Sequence, residues 1–221
     1  MTDPFELIAR NDLDALRTAL GQEPALVLEK HASGASLVAW AAYMNNVGAI
    51  SAIRALIPEL DPHEAIILGD LPRLQAALAI GWDANELSPD GFTPLSLAAF
   101  FDNLEGFELL LPATSNVNQQ ATNPQQVAAL HSAAAKRNTT MVEKLLRAGA
   151  DPNLAQADSV TPLHAAAMHG DTAIAGMLIL FGADPAAKDA KGRDAAAHAS
   201  AAGHDWLAKQ LSAIGGAREA D

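Results

Sequence analysis

The amino-acid sequence predicts an all-α solenoid of about seven antiparallel helix pairs, each too thin to bury its own apolar face. Three observations predict it. The register of a Thr-Pro-Leu-His phrase, exact at 161–164 and partial elsewhere, returns at a nearly constant interval, alanine pairs follow it in several copies, and Gly-Ala-Asp closes two of the units. Alanine is the commonest residue, 49 of 221, which suits helices that must approach closely. The chain is 50% hydrophobic and 18% charged, inside the globular range, so wholesale disorder is excluded.

The clearest unit begins Thr161-Pro162-Leu163-His164-Ala165-Ala166-Ala167 and ends Gly182-Ala183-Asp184-Pro185. A second begins Gly91-Phe92-Thr93-Pro94-Leu95, and a third contains Leu130-His131-Ser132-Ala133-Ala134 and then Gly149-Ala150-Asp151-Pro152-Asn153. With the threonine as register mark, the equivalent positions are Thr2, Ser36, Leu60, Thr93, Ala128, Thr161 and Asp194. They stand 34, 24, 33, 35, 33 and 33 residues apart. The short interval marks a missing stretch of connecting loop near 57–62. The predicted repeats are 2–30, 34–58, 60–86, 90–118, 124–153, 157–186 and 190–215, which make a single domain over 1–216, with 217–221 a frayed tail.

Each element has a local cause. Thr161 caps a helix and Pro162 suits its first position, where a missing N–H is harmless. Gly170 ends that helix, and residues 171–180 return antiparallel. Gly182 supplies a positive φ, and Ala183-Asp184-Pro185 starts a turn. In the first unit Asp12 and Asp14 open the second helix. In the last, Asp194 caps, Gly203-His204 is the junction, and Gly215-Gly216 ends the fold. Such weakly patterned end units suit caps whose outer sides face water.

This pattern resembles the ankyrin repeat: a turn, Thr-Pro-Leu-His-x-Ala-Ala, two antiparallel helices and Gly-Ala-Asp-x-Asn. The match is close at 158–186, good at 90–118 and 127–153, degenerate at 63–86 and weak at 2–28, 34–58 and 191–215. The resemblance implies a curved stack with turn tips and first helices on its concave side, and non-catalytic binding of another protein there. It also implies that His131, His164 and His63 are structural, bonding turns.

Other chemistry finds little support. There are no cysteines, which excludes disulfides, thiolate zinc sites and cysteine nucleophiles. The histidines lack ligand spacing, so no metal is expected, and no phosphate-binding loop or nucleophile elbow occurs, so neither is a cofactor. Asp102, Glu105 and Glu108 read as a solvated helix face rather than an acid–base pair. A formal charge of −12 opposes nucleic-acid binding. The acidic N-terminus and the absence of a long apolar run point to a soluble, cytoplasmic chain without a membrane span.

The informative positions are the two residues after each alanine pair. In order they are Tyr43-Met44, Ile67-Leu68, Phe100-Phe101, Ala135-Lys136, Met168-His169 and Ala201-Ala202. Adjacent helix residues diverge by about 100°, so Phe100 and Phe101 cannot both enter one core. The expected grip is Tyr43, Met44, Ile67, Leu68, Phe92, Phe100 and Phe101, extended by Met168 and His169. Residues 1–121 hold 16 acidic and 5 basic side chains, which favours a partner with a basic rim. The competing reading is that the short connection buries Tyr43, Ile67 and Leu68. A monomer is expected. Self-assembly through the strip, or a small ligand at an aromatic junction near Trp40 and Trp82, are the alternatives; both tryptophans are assigned to the core.

Overall fold

The structure, a computed structural model, describes residues 3–218. Among them are α-helices, three short 3-10 turns and one isolated antiparallel bridge, Lys30 with Ser36. The helices are α1 (Pro4–Ala9), α2 (Leu13–Gln22), α3 (Leu37–Tyr43), α4 (Val47–Arg54), α5 (Pro62–Leu68), α6 (Leu71–Ala79) and α7 (Pro94–Phe100). They continue as α8 (Leu104–Leu110), α9 (Ala129–Ala135), α10 (Thr139–Arg147), α11 (Pro162–Met168), α12 (Thr172–Leu180), α13 (Ala195–Ala201) and α14 (Asp205–Arg218). Each odd-numbered helix packs against the next, the pairing the sequence cadence predicts. The chain falls into two compact units, Met1–Asp83 with Leu87–Gly91, and Ala84–Glu86 with Phe92–Asp221. No described helix is long and apolar enough to cross a membrane.

Capping residues set the boundaries. Asp3, Ser36, Asp61, Thr93 and Asp194 each accept a backbone N–H from the first turn of a first helix. Asp12, Asn46, Asp70, Asn103, Asn138 and Asp171 do the same for second helices. Two register marks therefore move by one. Leu60 is buried and Asp61 caps, because only Asp61 offers a side-chain acceptor to the Glu64 N–H, at 2.8 Å. Thr2 lies outside the described residues, and Asp3 holds the cap. Helix α14 runs through Gly215 and Gly216 to Arg218 rather than stopping at the pair. The expected tail extends beyond it to 219–221, outside the described residues.

In the first unit, Leu7 and Ile8 of α1, Leu16 and Leu20 of α2, Leu37 and Val38 of α3 and Ile53 of α4 form one apolar cluster. Trp40 is half-buried against it and donates from Nε1 to the Phe5 carbonyl at 3.2 Å. Trp82 is also half-buried, edge-on to His63 with ring centroids 5.2 Å apart. Neither tryptophan is a full core residue.

The short connection 55–61 carries no hairpin turn, and the neighbouring turns close over the gap. Gly34, at φ +97°, sits so near Pro89 that a Cβ there would overlap the Pro89 carbonyl. Tyr43 donates its hydroxyl to Asp90 Oδ2 at 2.8 Å, and Ser88 donates to Asp90 Oδ1 at 2.6 Å. The void left among Ser36, Asp61, His63, Glu64 and Ile67 is about 20 Å³, which is water-sized.

In the second unit, first helices α7, α9, α11 and α13 pack in sequence. Phe107, Leu110, Met141, Leu145, Ile174 and Leu178 from the second helices are fully buried beside them. Alanines at 98, 99, 133, 134, 166 and 167 are buried where those helices meet, so their small size sets the spacing.

Replacing Gly34 by alanine should destabilise the protein by about 2 kcal/mol or more, from left-handed backbone plus the Pro89 overlap. Urea unfolding of Gly34→Ala measures it. An unchanged midpoint would show that the two turns are not in contact.

Candidate partner-binding surface

The predicted grip divides between the two units. In the first, Met44 is exposed at the end of α3, while Tyr43 is half-buried and tied to Asp90. Burial and the Asp90 carboxylate push the Tyr43 phenol far above its ordinary range, so it stays a protonated donor. Ile67 is buried at 7% exposure, and Leu68 is half-buried against the core cluster. The corrected register explains this. With Asp61 as cap, Ile67 falls where Ala99 stands in the α7 repeat, a position that is fully buried. The sequence pairing was one residue out there.

In the second unit, Phe100 is 40% exposed at the end of α7, and Phe101 is half-buried edge-on to it, centroids 5.2 Å apart. The two rings do diverge as helix geometry requires. Phe92 is half-buried at the preceding turn. Met168 is 47% exposed at the end of α11, and His169 is half-buried beside it. Between them, at the end of α9, Lys136 holds its ammonium 4.8 Å from the Phe100 ring centroid. A cation over an aromatic face is attracted by the ring quadrupole. Lys136 is absent from the expected grip; its place after Ala135, in the strip register, was the available signal.

An open groove of about 290 Å³ lies among these first helices. Its walls include Ala135, Val160, Ala165 and Met168, with imidazoles of His131, His164 and His198. The groove residues Gln156 and Val160 belong to a turn, and no sequence motif marked them.

The histidines are held on both sides. His131 Nδ1 accepts the Ala128 N–H at 3.1 Å, and Nε2 faces the Leu154 carbonyl at 2.8 Å. His164 Nδ1 accepts the Thr161 N–H at 3.1 Å, and Nε2 faces the Arg193 carbonyl at 3.1 Å. These contacts fix the neutral tautomer with hydrogen on Nε2. The Thr161 hydroxyl also turns to His164 Nδ1, at 2.8 Å. His198 Nε2 bonds Asp189 at 2.9 Å, and Arg193 grips the same carboxylate at 2.8 Å. Backbone and side-chain donors from Arg193 hold Asp189 well below the usual carboxylate range.

Asp102, Glu105 and Glu108 are dispersed on a wet face, as read from the sequence. Asp102 accepts from Asn138 at 2.6 Å, Glu105 is exposed, and Glu108 pairs with Lys144 at 3.0 Å. Arg137 pairs with Asp171 and Arg147 with Glu143. Among the described residues, no three His, Asp or Glu side chains gather as a metal site.

Comparison with known families finds a family model described as ankyrin repeats (3 copies) at residues 62–156 and 130–218, together more than half of the chain. A search of curated protein sequences returns no match.

Burial brings the His131 imidazole down to about 4, against the opposing pull of the Leu154 carbonyl. The unfolded chain, titrating near 6.5, therefore takes up the proton first as pH falls. The stabilisation is complete above about pH 6.5 and is lost toward pH 4, by about 3 kcal/mol. Urea unfolding of wild type and His131→Gln between pH 7 and 4.5 should show a shallower pH slope in the variant. Parallel slopes would mean that His131 is not held neutral.

Proposed function

The chain belongs to the ankyrin-repeat family, and on that premise we propose that it is a non-catalytic protein-binding module gripping its partner with the first-helix ends of the second unit. Ankyrin repeats are general protein–protein interaction modules, so another protein is the expected class of partner. The observation that carries the reading is a pair of large apolar side chains, Phe100 and Met168, left exposed at the ends of α7 and α11. Helix α9 packs against both of those helices and sets Ala135 and Lys136 at its own end. Exposed apolar side chains beside a preformed groove mark docking surfaces more often than chance placement does.

Chemistry and energetics agree with this reading. The ring nitrogens of His131 and His164 are occupied by backbone and His198 Nε2 by Asp189, and the carboxylates of Asp102, Glu105 and Glu108 are paired or solvated. The groove offers apolar contact from Ala135, Val160, Ala165 and Met168, and the imidazoles that also line it are engaged with backbone or with Asp189. Most of its walls belong to short, well-packed helices, so little side-chain entropy is lost on contact. The acidic balance of residues 1–121 supports a partner carrying basic residues beyond the apolar contact. Met44 is the corresponding exposed side chain of the first unit, and Ile67 drops out of the grip because it is buried.

Phe100→Ser with Met168→Glu should leave the helical circular dichroism unchanged and weaken partner retention at least ~30-fold, the scale of losing a ~2 kcal/mol anchor. The check is retention of partner proteins from cells of origin on immobilised wild-type and variant protein, followed by titration of the purified partner. A partner held equally by both proteins would move the grip elsewhere.

A further inference from the structure

Second helices α10 and α12 pack side by side, and the 33-residue repeat aligns them position by position. On α10, Glu143 and Arg147 form an outward i,i+4 ion pair at 2.8 Å. The equivalent positions on α12 are Gly176 and Leu180. Lys144, which reaches Glu108, is replaced by Met177. From Thr172 to Gly182 there is no charged side chain. One face of α12, Ile174, Ala175 and Leu178, is buried. The opposite face is apolar too, yet Leu180 is 81% exposed, Phe181 is exposed after it, and Thr172, Ala173 and Gly176 are exposed along the same side. A helix apolar all round is normally covered all round.

Gly176 has no explanation inside the chain. A Cβ added there would meet nothing within 4 Å. Gly48 of α4 and Gly106 of α8 differ, since a Cβ would come within 2.8 Å of Leu13 and 2.5 Å of Asn103 respectively. Glycine inside a helix weakens it relative to alanine. Gly21 of α2 and Gly216 of α14 are equally open but lie near helix ends, whereas Gly176 lies mid-helix, where a close approach from outside the chain would account for it.

We propose that this face of α12 pairs with α12 of a second copy of the chain, antiparallel across a two-fold axis at Gly176. The face is self-complementary in that orientation and no other: its small residues lie toward the N-terminal half and its bulky ones toward the C-terminal half. Ile179 and Leu180 of one copy lie over Ala173 and Thr172 of the second, and the reverse, as an isologous contact demands. The glycines let the two backbones close. Charge permits it, because residues 122–221 hold 10 acidic and 9 basic side chains while the acidic excess sits in residues 1–121. The stripe is one face of a nine-residue helix, small beside the roughly 800 Å² per partner of a standard interface, so the dimer is weak and reversible. Its dissociation constant is on the order of 100 μM. This contact uses second helices and stands independently of the partner grip on the first-helix ends.

Sedimentation equilibrium from 10 μM to 1 mM, concentrations that bracket roughly that constant, should show the average mass rising from 22.9 kDa toward the dimer. Leu180→Glu, at a side chain too exposed to affect folding, should weaken association at least about ten-fold. Gly176→Ala should raise the melting temperature while lowering association, opposite signs that a merely structural glycine would not give. Because the chain has no cysteine, Gly176→Cys should oxidise to a symmetric disulfide dimer at a concentration where Lys209→Cys stays reduced. A wild-type monomer at 1 mM, undiminished association of Leu180→Glu, or equal oxidation of the two cysteine variants overturns the proposal. So does a monomer that binds phosphatidylcholine–phosphatidylglycerol vesicles through Leu180, which would assign the face to a membrane surface.

Discussion

His164 accepts the Thr161 N–H at one nitrogen and faces the Arg193 carbonyl of the next repeat with the other. His131 does the same between Ala128 and Leu154. An asparagine ladder runs parallel to these bridges. Asn85 accepts the Ser115 N–H, Asn118 the Asp151 N–H and Asn153 the Asp184 N–H, at 2.7 to 2.8 Å. Asn118 and Asn153 also donate to the Gly149 and Gly182 carbonyls. In the second unit, therefore, each repeat completes the backbone of its neighbour. An isolated helix pair would leave these turn groups unpaired and its alanine seam wet. The neutral imidazole is the demanding part, since a proton on Nδ1 would confront the cap N–H with a second donor.

This dependence shapes what the sequence reveals. The helix pairs were legible because alanine, glycine and capping residues recur at fixed offsets, and those offsets are imposed by the stacking itself. The histidine role was legible at His131 and His164 for the same reason; His63 falls outside that slot, because with Asp61 as cap it is Glu64 that accepts the cap N–H, at 3.0 Å. The divergence of Phe100 from Phe101 was legible too, since it follows from helix geometry alone. The Ile67 position was not, because one residue of register near the short connection could not be resolved without seeing that Asp61, and not Leu60, caps α5. Trp40 and Trp82 were not either: their half-buried state depends on His31 stacked 4.0 Å from Trp40 and His63 edge-on to Trp82, contacts between distant positions. The groove, assembled from three repeats and their turns, leaves no linear trace.

Charge placement separates structural from associative surface within one repeat array. Helix α10 has a buried apolar side and an outer side laced with Glu143, Lys144 and Arg147, each paired. Such surface pairs contribute little stability. Their value is that they keep the outer side hydrated. Helix α12 gives that up without any packing gain inside the chain, which is why its outer side asks for a covering.

The turn omitted between α4 and α5 has its own consequence. Because Gly34 reaches Pro89 directly, two fingers that would ordinarily stand two steps apart become neighbours in the first unit. A ligand reading these fingers as the notches of a ruler would find one division removed within the first unit. Restoring about nine residues there would pry Gly34 from Pro89 and release Tyr43 from Asp90, so the altered spacing is locked in by the same contacts that heal the deletion.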